Sequence, residues 1–230
     1  VKSRLITIIC IILAVATMLL TLKFDSDRSY LYASIIIIVL VIIPFYTSFE
    51  AGKPHARKVV LIAVMISLAV VSRAAFFMLP SFKPIFAFII IAGVSLGANS
   101  GFLVGSMTAF VSNFFFGQGP WTPFQMVAWG LIGMFAGLLS NNVFRSRSIW
   151  PMVIYGVIVS YVLHGAITDL WTIFSITARP TMATVISVYG AGLWMDTILA
   201  SATAIFLLLI GKPLIRKIDR VKLKYGLNED

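Results

Sequence analysis

Apolar residues run through this chain in long unbroken stretches separated by short polar breaks; the run from Ile35 to Ile43 is typical. Strands of an outer-membrane barrel would alternate apolar and polar positions, and these runs do not. Stretches of this length predict membrane-crossing helices. Spans are expected at 5–22, 30–48, 59–79, 124–144, 149–174 and 184–210, with two shorter apolar pieces at 85–98 and 101–116. The first run is read as an anchored helix. The fold class is thus an all-α polytopic membrane protein.

Charge decides whether the two short pieces are one helix or two. As two, they give eight spans with both termini cytoplasmic. The inner side then carries Lys2, Arg4, Lys53, Arg57, Lys58, Arg145, Arg147 and the basic tail from Lys212 to Lys224. The outer loops carry only Lys23, Arg28, Lys83 and Arg179. Merging the pieces would place the tail outside, against the positive-inside bias. The turn is expected at 97–101. Two helices of about 15 residues reach only about 22 Å, less than the roughly 30 Å hydrocarbon core, so neighbours must shield them. Gly93, Gly97, Gly101 and Gly105 recur every four residues here, and Gly130, Gly133 and Gly137 follow on the next span, which suits close backbone packing.

The first two spans are Ile/Leu/Val-rich and plain. They read as an N-terminal extension, 1–52, to a six-helix core at 53–212, followed by a basic cytoplasmic tail at 213–230. The tail spaces its charges helically and suits anionic lipid.

Composition fits the same class. The chain is 60% hydrophobic and 11% charged, against about 25% charged in soluble domains. The net charge of +10 follows from juxtamembrane Lys and Arg, so no nucleic-acid partner is expected. The single cysteine, Cys10, permits no intrachain disulfide, and no Cys/His cluster suggests a metal site.

Candidate chemistry gathers at breaks on the outer side, at 79–84, 117–123 and 177–181. The stretch 117–126 holds two glycines, two prolines, two glutamines and a tryptophan. Irregular polar backbone at membrane depth survives only within protein or beside a water-filled cavity, so this segment marks a solute site. Asn113, Gln118, Trp121, Thr122, Gln125 and Trp129 bracket it. Trp121, Gln125 and Trp129 fall on one helical face, suited to stacking on a planar ligand and bonding its edge.

Arg73, Asp169 and Asp196 are intramembrane charges, each a functional candidate. Arg73 and Asp169 are expected to pair. Trp171 continues outward from Asp169, and Tyr189 and Trp194 flank Asp196 to suggest a cavity. His164 reads as a packed residue rather than a ligand contact. A membrane enzyme using His164 and Asp169 on lipid is the competing reading, but five residues put them well apart round an α-helix. No nucleophile–base set, phosphate loop or His-Glu-x-x-His motif occurs, so no enzymatic activity is expected.

The stretch from Lys83-Pro-Ile-Phe-Ala-Phe through Gly97-Ala-Asn-Ser-Gly-Phe-Leu-Val-Gly105 to Gly119-Pro-Trp-Thr-Pro-Phe-Gln-Met-Val-Ala-Trp-Gly-Leu-Ile-Gly133 resembles the substrate-binding S component of energy-coupling factor (ECF) vitamin transporters. The resemblance covers about residues 57–212. It implies a six-helix core that binds a vitamin near the outer surface of a bacterial plasma membrane. It implies a transmembrane T subunit and two cytosolic ATPases as partners, with ATP bound by them and no cofactor on this chain. The small-xxx-small motif used for T-subunit docking would correspond to Ala63 and Ser67. The resemblance leans toward cobalamin or a related corrinoid, with riboflavin or a pyrimidine as alternatives that suit the tryptophans equally. The two extra N-terminal spans depart from the family pattern.

Overall fold

The computed structural model describes residues 9–10, 12–13, 16–17, 29–51, 56–144, 148–177 and 179–227. Apart from a few helical positions between 9 and 17, the expected first span lies outside these, as do Lys2, Arg4, Lys53, Arg145 and Arg147. Among the described residues the chain is helical, with no strand. Helix α1 is Ser29–Ala51, α2 Ala56–Ala75, α3 Ile85–Leu96 and α4 Ala98–Phe116. Helix α5, Thr122–Leu139, runs on into a wide π turn at Ser140–Phe144. Helices α6, Trp150–Ile176, and α7, Met182–Lys224, each contain a π turn, at Ser160–Gly165 and Leu207–Gly211.

Four helices, α2, α5, α6 and α7, are long and apolar enough to cross a membrane. Helix α3 has 12 residues, about 18 Å of rise. It is apolar all round and sits at the centre of the bundle, with Phe86, Ile89, Ile90 and Ile91 fully buried. A helix this short cannot cross the roughly 30 Å hydrocarbon core by itself, and α2, α4, α5 and α7 enclose it.

Helices α3 and α4 part at Gly97 alone, narrower than the expected turn over 97–101. Its φ of 88° is the left-handed region that glycine enters without a Cβ clash, and Ala98 already begins α4. The two helices then fold back and meet α5 at backbone distance. A Cβ on Gly93 or Gly101 would lie 2.1 or 2.3 Å from Gly133 O, and one on Gly105 only 2.0 Å from Trp129 O. The small residues thus form the seam between three helices, as the four-residue spacing predicts.

Helix direction sorts the loops. The start of α2 and the ends of α3 and α7 converge at one end: Arg57 donates to Tyr225 O at 3.2 Å and Lys222 Nζ to Ser95 O at 2.8 Å. The connections at 76–84, 117–121 and 177–181 fall at the opposite end. The basic tail expected at 213–230 is helical as far as Lys224. Helix continues from Met182 through the π turn at Leu207–Gly211 to Lys224, and Ile218 is buried against the bundle while Arg216, Lys217, Arg220 and Lys224 stay exposed.

The third expected span also ends early. Helix α2 stops at Ala75, and Lys83 turns back over it, its ammonium donating to Phe76 O at 2.8 Å and Leu79 O at 2.5 Å. A cation is favourable on these orphan carbonyls. Burial, and secondarily the positive Arg73, hold the Lys83 ammonium below the usual lysine range. Helix α1 packs on α4 and α5, where Tyr46 Oη and Ser106 Oγ share a hydrogen bond of 3.1 Å.

Candidate ligand site

The polar break after α4 folds into a closed network. Gly117, with φ 104°, ends α4 and lets the chain reverse. Gln118 turns back, donating from Nε2 to Phe110 O at 2.8 Å and accepting from Thr122 Oγ1 at 2.9 Å. Asn113 is 1% exposed; its Nδ2 donates to Thr122 Oγ1 at 3.0 Å and to Gln125 Oε1 at 2.8 Å. Its Oδ1 accepts from Arg73 at 2.8 Å, and the same guanidinium nitrogen donates to Ser112 Oγ at 2.5 Å. One connected set therefore joins α2, α4, the break and α5. Buried polar groups of this kind must be mutually satisfied, and these are.

Arg73 also lies against two rings, 4.2 Å from the Phe116 centroid and 5.3 Å from that of Trp129. The expected Arg73–Asp169 pair is corrected by this arrangement: no hydrogen bond or ion pair joins them. Arg73 donates from one guanidinium nitrogen to Ser112 and Asn113 of α4, and Asp169 Oδ2 is buried with no hydrogen-bond partner among the described residues.

Trp129 occupies the floor of this region. It is 3% exposed, meets Phe86 edge-on at 5.8 Å and donates from Nε1 to His164 Nδ1 at 3.2 Å. His164 packs 5.1 Å from Phe86. It is thus a hydrogen-bonded packing residue, and its part in holding Trp129 is what the sequence did not reveal. It lies in the π turn Ser160–Gly165, where the extra residue breaks the α-helical phase on which the spacing argument relied.

The three residues expected on one ligand-facing stripe of α5 divide their duties. Trp129 faces Arg73 and His164, Gln125 faces Asn113, and Trp121 meets Trp171 at 6.1 Å. Phe124 joins the last pair at 5.9 Å from Trp171, tying α5 to α6. Trp194 is 69% exposed on α7. Ala63 and Ser67 are both exposed on α2, with Ser67 Oγ bonded to Ala63 O.

On the other side, α6 and α7 border a cleft of about 350 Å³ lined by Asp169, Thr172, Ile176, Ser187, Val188, Ala191 and Gly192. Tyr189 Oη is spent on Ala166 O at 2.9 Å. Asp196 is buried one helical turn further along α7. The 76–84 loop reaches this wall too, with Ser81 Oγ 2.8 Å from Met195 Sδ. Among the described residues no group of three or more His, Cys, Asp or Glu could hold a metal ion.

A family model described as ECF-type riboflavin transporter, S component, matches residues 53–220, most of the chain. The chain belongs to this family. The assignment makes it a multi-pass membrane protein of the cell membrane and a transporter S component, with a vitamin ligand and ECF T and ATPase subunits as the associates the family implies. Transport by an S component implies a non-enzymatic role. No curated protein and no solved structure gives a significant match. The match begins at residue 53, after α1.

Proposed function

We propose that this S component captures riboflavin, or a flavin-like planar vitamin, at the end of the bundle bearing the 76–84, 117–121 and 177–181 connections. The carrying observation is Asp169 Oδ2, a buried acceptor without a partner in the wall of a 350 Å³ cleft. A buried carboxylate oxygen is costly until a donor meets it, and a polyol or ring N–H supplies one. Trp121, Phe124 and Trp171 cluster where α6 meets α5, outside the residues that line the cleft. The family's riboflavin description points the same way. Cobalamin finds no support in that match. The cleft lies at the small end of the roughly 300–1,000 Å³ typical of ligand pockets, which favours a compact planar vitamin over a corrinoid.

Riboflavin fluorescence tests this. Titration into purified protein should give saturable quenching at one ligand per chain, and a linear, non-saturating response would remove the assignment. Asp169→Asn, which retains shape but loses charge, should weaken binding by roughly 10-fold, the scale of a charge-assisted hydrogen bond.

The wider reading is eight spans, with a 1–52 extension, the ligand end outward and the basic end of α7 cytoplasmic against anionic lipid. The exposed Ala63–Ser67 face of α2 would meet the T subunit, and the two ATPases would supply the energy. In a Cys10→Ser background, Gln118→Cys should react with an impermeant maleimide from outside intact cells and Lys224→Cys only after lysis. The reverse pattern would invert the topology.

A further inference from the structure

Asp169 of the cleft wall and Asp196, buried one turn further along α7, belong to one reciprocal motif. Each lies four residues after a glycine, as Gly165-x-x-x-Asp169 on α6 and Gly192-x-x-x-Asp196 on α7. The helices are antiparallel, so each carboxylate rests on the bare backbone of the other motif's glycine. A Cβ on Gly192 would stand 2.7 Å from Asp169 Oδ2, and a Cβ on Gly165 only 2.2 Å from Asp196 Oδ2. Four residues are about 6 Å of rise, so the acids stand about one turn apart in a shared groove.

No donor among the described residues answers them. Asp169 Oδ2 is buried without a partner, and Asp196, at 8% exposure, accepts no hydrogen bond from these residues. The nearby hydroxyl of Tyr189 is committed to Ala166 O, and Arg73 to Ser112 and Asn113. The groove therefore carries carboxyl oxygens that no described donor answers, beside a cleft whose volume is close to that of a single small ligand.

We propose that the reciprocal pair is a charge filter, which rests on the reading of this cleft as a flavin site. It admits the uncharged vitamin, whose hydroxyl groups donate to the carboxylates. It turns away the 5′-phosphate ester, whose phosphate brings close to two negative charges and no means of satisfying the acids. Like charges in one desolvated site repel strongly. Extracellular phosphate ester would then need phosphomonoester hydrolysis before uptake.

The test compares riboflavin with riboflavin 5′-phosphate by fluorescence titration of purified protein, in wild type, Asp169→Asn, Asp196→Asn and Ser187→Lys. Wild type should prefer riboflavin by on the order of 100-fold, and each substitution should cut that ratio by roughly 10-fold. Ser187 is an exposed residue on the cleft rim. Its lysine variant therefore decides the matter if the aspartate variants do not purify as single species. A wild type that takes both ligands equally, or a ratio that is the same in every variant binding riboflavin, overturns the filter alone. Failure of wild type to bind riboflavin at all removes the flavin site, and the filter with it.

Discussion

Gly105→Val is expected to leave no folded protein. The added Cβ would lie 2.0 Å from Trp129 O and 2.4 Å from Trp129 C, and backbone cannot step aside as a side-chain tip can. Overpacking that neighbours can absorb costs about 1–3 kcal/mol. Here α4 and α5 must separate along their seam, which also carries the Gly101–Gly133 approach, so the cost exceeds that range. Size-exclusion chromatography and thermal melting of the detergent-solubilised variant check it. Gly190→Ala is the control, since a Cβ there meets nothing within 4 Å. It should melt at or above the wild-type temperature, because alanine is favoured over glycine in a helix by about 0.5–1 kcal/mol. A monodisperse Gly105→Val sample with wild-type melting would contradict the packing described for the seam.

Arg73→Met should carry the second largest effect. It strips Asn113 Oδ1 and Ser112 Oγ of their donor, at about 1–3 kcal/mol for a buried group left unsatisfied. It also removes the cation from the faces of Phe116 and Trp129, worth about 0.5–2 kcal/mol each. The loss falls where α2 meets α4 beside the 117–121 break, so riboflavin affinity should drop on the order of 10- to 100-fold along with thermal stability. Arg73→Lys keeps the charge but cannot reproduce the planar stacking and fixed fork, and should fall between the two. Melting and titration of all three proteins decide it; wild-type values for Arg73→Met would show that the network does not hold the site.

Much of the architecture was legible because lipid-facing helices need unbroken apolar runs. Small residues at four-residue spacing likewise announced the three-helix seam, and the positive-inside bias required a reversal near Gly97. The polar break was legible as irregular backbone at membrane depth, but it was expected to meet a solute; that Asn113, Gln118, Thr122 and Gln125 hydrogen-bond to one another is visible only in the structure. Partner choice was not legible. Depth alone made Asp169 as good a match for Arg73 as Asn113 is, and only the packing of α2 on α4 decides between them. Facing was also hidden in the Met182–Phe206 part of α7, which has no distinct polar face, so nothing in its pattern says that Trp194 points out while Asp196 points in. The π turns were invisible to an argument built on 3.6 residues per turn, and His164 sits inside one.

Helix α7 has a mechanical consequence. Asp196 and Lys222 belong to one rod, about 39 Å apart along its axis, and the wide turn at Leu207–Gly211 is the one interruption between them. A tilt of about 5° at the Lys222 tip swings the far portion sideways by about 3 Å over that length. Whatever grips the basic tip therefore has leverage on the gap between Asp196 and Asp169, and a hand on the lever can open or shut the jaw without touching what it holds.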